Sequence, residues 1–148
     1  MIWRHVKSTK KALRKLPVSA KAVLISKDGK VLVLRKDSGL ADLPGGKVEK
    51  DEDLYEALQR EIEEEVQFSP KKYKFITSWV KHNPLLGDRL VLVFEARLKR
   101  KAENLKIKLS DEHTWGQFLD AEGVNEVDGL APGYINALQI CLSRHESR

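Results

Sequence analysis

The residues with most to offer chemically lie in PGGKVEKDEDLYEALQREIEEEV, Pro44 to Val66. Its right half is rich in strong helix formers, with Asp51 as the expected N-cap and acids in the first turn to suit the macrodipole. Wound at about 100° per residue from Leu54, the stretch puts Leu58, Ile62, Val66 and Ala57 on one apolar face. Glu61 and Glu65 fall within about 20° of Leu54, inside that face, and Glu64 falls on its border. Glu56 and Glu63 point to the opposite side. Carboxylates turned toward a core need compensation. A raised pKa, a lysine or arginine partner, or a divalent cation would each supply it. Glu61, Glu64 and Glu65 are spaced i+3 and i+4, so they converge within one turn and repel, with only Arg60 nearby in sequence to offset them. A hard cation such as Mg²⁺ takes oxygen ligands and suits such a set. Gly45-Gly46, just before, lets the backbone approach a ligand closely and present a carbonyl to a cation or amides to a phosphate.

These residues must be held by the rest of the chain. Ala22–Ile25 and Val31–Leu34 are short apolar runs around Asp28-Gly29, a hairpin-turn signal. Both are apolar at successive positions, as expected for strands covered on both faces. A polar loop follows, then the acidic helix, which Ser69-Pro70 ends. Tyr73–Val80, Leu90–Leu98 and Thr114–Leu119 are predicted strands, and Ala102–Lys108 a charged hairpin or edge. Pro132–Leu142 is predicted to be a closing helix with Pro132 in its first turn. The order predicts an α/β (α+β) domain, a mixed β-sheet with helices on its faces.

At 148 residues, 41% apolar and 33% charged, the chain suits one soluble domain with a substantial core. It has no apolar run of membrane-spanning length and no secretory h-region. The lone Cys141 has no internal disulfide partner and lies near Leu138 and Leu142, so a packed thiol in a reducing, cytoplasmic setting is expected. The net charge of +5 is uneven: residues 1–21 hold Arg4, Lys7, Lys10, Lys11, Arg14, Lys15 and Lys21 and no acid. That basic segment is read as a solvated face; RNA as a partner is open but not favoured.

The acidic stretch resembles the signature of the Nudix hydrolases, G-x5-E-x7-R-E-U-x-E-E-x-G-U, where U is a bulky apolar residue. Gly46, Glu52, Arg60, Glu61, Ile62, Glu64, Glu65 and Phe68 follow its spacing across residues 46–68, and Gln67 replaces its last glycine. A looser likeness covers most of the chain, so residues 1–148 are expected to form a single Nudix domain with an α/β/α sandwich. The glycine would be the helix's left-handed cap, so Gln67 implies either backbone strain or a different helix end.

The resemblance implies that Glu61, Glu64, Glu65 and the Gly45 carbonyl bind Mg²⁺ or Mn²⁺. It implies that Arg60 and Glu52 pair and orient the acids. Glu112 is the candidate for a distant glutamate acting as base or further ligand, with His113 a bystander. Arg35 is placed to meet a phosphate or to form a structural salt bridge. With Gly46, Trp79 and Asn136 it makes up the expected substrate contacts; Phe118 and Tyr134 are weaker candidates. The implied reaction is hydrolysis of a diphosphate bond in a nucleoside diphosphate linked to another group. The cations would polarise phosphorus, and Glu64, Glu65 or Glu112 would take the proton of the attacking water. The compact chain favours nucleoside triphosphates, including oxidised ones, as substrates. Pro84, 16 residues past the motif, is a weak mark of ADP-ribose hydrolysis. Dinucleoside polyphosphates and triphosphorylated RNA stay open, as does a non-catalytic nucleotide- or RNA-binding module. A monomer or a homodimer is equally compatible.

Overall fold

The computed structural model describes residues 13–146, so the greater part of the basic N-terminal segment lies outside the described residues. Seven strands form one mixed sheet: β1 Val18–Ile25, β2 Val31–Lys36, β3 Ala41–Asp42, β4 Gly45–Lys47, β5 Lys74–Lys81, β6 Arg89–Arg97 and β7 His113–Leu119. Among the described residues three helices accompany it: α1 Leu54–Val66, α2 Ala121–Glu126 and α3 Pro132–Glu146. β1 and β6 run parallel in unbroken register from Val18↔Leu90 to Ile25↔Arg97. β5 lies antiparallel to β6, and β7 antiparallel to β2.

The apolar runs of β1 and β2 are buried on both faces, as their unbroken hydrophobicity predicts. Ala20, Ala22, Leu24, Leu32 and Leu34 pack with Leu58, Ile62 and Val66 of α1. Val23, Ile25, Val31 and Val33 pack with Ala137, Leu138 and Cys141 of α3. The architecture is therefore the predicted sheet between helical layers. Cys141 is buried, and burial, with Glu95 nearby, pushes its thiol up to about 12, so it is an inert packed side chain.

One irregularity of the sheet positions the site. β1 meets β2 only at Ile25↔Val31, while its first half pairs with β4 through Ser19↔Lys47, Ala20↔Gly46 and Lys21↔Gly45. β1 and β2 therefore diverge, and the Gly45-Gly46 segment fills the split. Gly45 has φ +128°, and a Cβ there would lie 2.2 Å from the Ala20 carbonyl oxygen, so only glycine fits. Side chains from both faces of the sheet meet at this split.

Three local expectations are corrected. The N-cap of α1 is Asp53, whose carboxylate accepts from the Glu56 N–H at 2.8 Å; Asp51 instead occupies a turn with φ +68°. Residues 102–108 are no strand. Ala102–Asn104 is a single 3₁₀ turn, and Leu105 and Ile107 pack against the α1 side of the core. The short helix α2, capped by Asp120, lies where no helix is expected from the sequence.

Gln67 takes the strained alternative. It adopts the left-handed conformation itself, φ 60° and ψ 35°, and its N–H reaches the Ile62 and Glu63 carbonyls at 3.1 Å. The helix thus ends as a glycine would end it, at a backbone cost of about 1 kcal/mol. Gln67→Gly is expected to raise stability by about 0.5–1 kcal/mol after the entropy of the added glycine is counted. A urea unfolding midpoint that stayed put or fell would show that the Gln67 side chain more than offsets its backbone.

Candidate active site

The three glutamates divide as the helical spacing predicts. Glu65 is buried at 3% exposure, Glu61 is half-buried, and the Glu64 side chain is 61% exposed. Glu61 is held from two sides. A Cβ on Gly46 would lie 2.6 Å from its carboxyl carbon, so that glycine makes room for the carboxylate. Arg60 Nη1 donates to Glu61 Oε1 at 3.0 Å. Arg60 is itself fixed by Glu52, which accepts from Nε at 3.1 Å and from Nη2 at 2.7 Å, and Arg60 Nη2 also reaches the Lys47 carbonyl at 3.2 Å. One guanidinium thereby ties the α1 acids to β4.

Glu65 enters the split itself. Its Oε2 accepts a long, 3.4 Å bond from the Gly45 N–H, and the Glu61 carboxyl is close enough to interact with it. Burial pushes its pKa up to about 8; the Lys21 ammonium opposes this, while Glu61 and Asp42 add to it. The remaining partners come from the sheet. Lys21 of β1, 7% exposed, donates from Nζ to Asp42 Oδ1 and Oδ2 at 3.1 and 3.2 Å and to the Leu43 and Gly45 carbonyls at 3.1 Å each. Burial works to lower the Lys21 pKa, but Asp42, with Tyr134 and Glu65, outweighs it and holds it above the usual lysine range. Burial likewise works to raise Asp42, and Lys21, His113 and Lys36 outweigh it, holding that carboxyl well below the usual range.

His113 is no bystander to this geometry. It is buried at the start of β7, with Nε2 at 3.4 Å from Asp42 Oδ2 and Nδ1 at 4.0 Å from Glu65 Oε2. Its Nδ1 has no hydrogen-bond partner. Lys21, Asp42 and His113 are the members of the cluster that the motif does not contain. Their one sequence signal is a lysine inside an otherwise apolar strand, KAVLI, where the period of two puts it on the face of Val23 and Ile25.

The other expected residues vary in placement. Glu112 is exposed in the turn before β7. Arg35 is committed to structural contacts: Nη1 donates to the Gly39 carbonyl at 2.7 Å, Nη2 pairs with Asp128 at 3.2 Å, and the guanidinium lies over Trp115. It is the adjacent Lys36 that faces the cluster, 3.7 Å from Asp42. Trp79 is half-buried, edge-on to Tyr134 at 5.1 Å, with its ring over Gly133. Asn136 is exposed on α3, and Phe118 is buried in the core on the α1 side.

Among the described residues no three His, Cys, Asp or Glu side chains form a ready-made cation cage. The donors nonetheless fit a hard cation: the carboxyls of Glu61 and Glu65 flank the Gly45-Gly46 turn, and all are oxygen ligands. Burial outweighs the partial compensation that Lys21 gives Glu65, and such an ion would favour the ionised carboxylate further.

A profile of the NUDIX domain matches residues 15–138. The chain belongs to the NUDIX domain family. A curated relative, the ADP-ribose pyrophosphatase of Bacillus subtilis strain 168, is 28% identical over 95 residues. That match covers 61% of this chain but only 51% of the relative, so the chain spans about half the length of the curated relative it matches. Two solved structures share the fold. The MutT protein of Methanosarcina mazei Go1 has a TM-score of 0.75 at 23% identity, covering 93% of this chain and 100% of its own. An Ap4A hydrolase of C. elegans has a TM-score of 0.73 at 19% identity, covering 89% and 98%. The NUDIX assignment accounts for the spacing of Glu52, Arg60, Glu61, Glu64 and Glu65. No helix among the described residues is long and apolar enough to cross a membrane.

Proposed function

We propose that the chain hydrolyses a diphosphate bond in a nucleoside diphosphate linked to another group, with nucleoside triphosphates as the first substrate class. The observation that carries this is the buried Glu65 carboxyl, beside that of Glu61 and against the Gly45-Gly46 turn. Glu61, Glu64, Glu65 and the Gly45 carbonyl would hold Mg²⁺ or Mn²⁺. Bound there, the cation would neutralise the diphosphate, polarise phosphorus and acidify water. Arg60, braced by Glu52, keeps Glu61 in place for that task. Glu65 or Glu64 takes the proton of the attacking water, with Glu112 as the alternative acceptor from the β7 turn. Trp79 offers a ring to a base, and Asn136 is a further candidate contact.

Triphosphates come first because cations crowd around Asp42. The Lys81 pKa is held below the usual lysine range by burial and then by Lys36, with Lys21 and Arg89 adding to the repulsion. Such a cluster suits a substrate with several anionic groups. A second reading, ADP-ribose hydrolysis, draws support from the name of the curated relative and from Pro84, in the exposed loop between β5 and β6.

Incubation with Mg²⁺ and nucleoside triphosphates, ADP-ribose, dinucleoside polyphosphates and 5′-triphosphate RNA tests the reading by its products. Pyrophosphate and a nucleoside monophosphate are expected from triphosphates. AMP and ribose phosphate from ADP-ribose alone would favour the second reading. Tight nucleotide binding without turnover of any compound would make the chain a binding module.

A further inference from the structure

A lysine in the middle of a buried strand needs a reason. Lys21 pairs across the sheet with Gly45 on one side and Val93 on the other, and its neighbours on the same face, Val23 and Ile25, are core residues. An aliphatic side chain would pack there without desolvating a charge. The ammonium has three protons, and four oxygens accept them: both of Asp42 and the carbonyls of Leu43 and Gly45. It is thus held in place across the turn that carries Gly45, with Glu65 close enough to feel its charge.

This has an electrostatic consequence for the metal reading of the previous subsection, on which the inference rests. The Gly45 carbonyl belongs to the donor set assigned to the cation, and it is already an acceptor of the lysine. A divalent ion taking the same oxygen is bound beside a fixed positive charge. At short range and away from bulk water, that repulsion is substantial. We propose that Lys21 is a resident cation that restrains the metal site: it compensates Asp42 and Glu65 from within the fold and weakens divalent-ion binding at the Gly45 carbonyl. Lys21 is then a positioning residue, acting through Gly45 and the acids. The free enzyme binds its ion loosely, and an anionic diphosphate, by adding negative charge, tightens that binding.

The test is a Mn²⁺ titration followed by electron paramagnetic resonance, without nucleotide, on the full chain and three variants. Lys21→Met is expected to bind Mn²⁺ about tenfold more tightly or better, because the repelling charge is gone while Asp42 keeps Lys36 and His113 beside it. Lys21→Arg keeps the charge and is expected to remain within about threefold of the parent. Asp42→Asn leaves the ammonium less compensated and is expected to weaken Mn²⁺ binding about tenfold; this variant keeps the inference testable if Lys21→Met does not fold. Unchanged or weaker Mn²⁺ binding by folded Lys21→Met, or unchanged binding by Asp42→Asn, would reduce Lys21 to a structural prop and overturn the proposal while the metal reading stood. No Mn²⁺ binding by the parent or any variant would overturn both.

Discussion

Glu65→Gln is expected to lower kcat on the best substrate by roughly a thousandfold at saturating Mg²⁺, with KM changed little. The amide keeps the shape of the side chain but can neither accept a proton at neutral pH nor supply an anionic ligand. Glu65 is the member of the acid set drawn furthest into the split, with the Gly45 N–H, Glu61 and His113 around it. Loss there leaves Glu61 without its paired acid. Glu64 differs: its side chain is 61% exposed and its ion pair with Arg60 is 3.6 Å long. Glu64→Gln should therefore cost less than Glu65→Gln. Steady-state kinetics on both variants, with circular dichroism as the check on folding, measure this. Equal losses for the two, or activity within tenfold of the parent for Glu65→Gln, would remove Glu65 from the centre of the mechanism.

The placement of Glu65 was legible because helical period is a strong signal. Leu58, Ile62 and Val66 define the buried face, and Glu65 falls inside it whatever the rest of the chain does. Arg60 and Glu52 were legible through the motif, whose spacing returns the chain to one side of the helix start. What surrounds Glu65 was not. Lys21, Asp42 and His113 come from β1, β3 and the start of β7, and only the divergence of β1 from β2 brings them together. Sheet register across such distances leaves no local trace in sequence. The lysine within KAVLI was a signal, but one that reads equally as an edge-strand charge. Arg35 and Lys36 show the same limit at single-residue scale. Successive strand residues point to opposite faces, and a bulge in the β2–β7 register falls between these two. Of the three forms of compensation that inward acids invite, Glu65 has a raised pKa and the charge of a nearby lysine, Lys21.

That raised pKa fixes the sign of a second large effect. With divalent ions chelated, the folded chain is expected to lose stability as the pH rises from about 5 to about 8. The folded Glu65 carboxyl titrates at about 8, against an ordinary value of 4.5. Between those values the folded chain holds a proton that the unfolded chain has released, so the slope of unfolding free energy against pH is negative. The stabilisation is complete below the unfolded pKa and gone once the pH passes the folded one. A shift of this size corresponds to a few kcal/mol, reduced by whatever the Lys21 ammonium and solvent near the split recover. Asp42, shifted the other way, acts only at pH below its ordinary 3.8 and leaves this window alone. Urea denaturation across the range in chelator measures the slope, and Glu65→Gln should flatten it, because a neutral side chain has no proton to lose. Saturating Mg²⁺ should reverse the trend, since an ion that binds the ionised carboxylate stabilises the fold more as protons leave. A parent slope that survives the glutamine substitution would assign the titration to another group. The variant crippled in catalysis is thus expected to be the more stable protein above pH 7 in chelator: the acid that serves the reaction is a destabilising residue until an ion is bound.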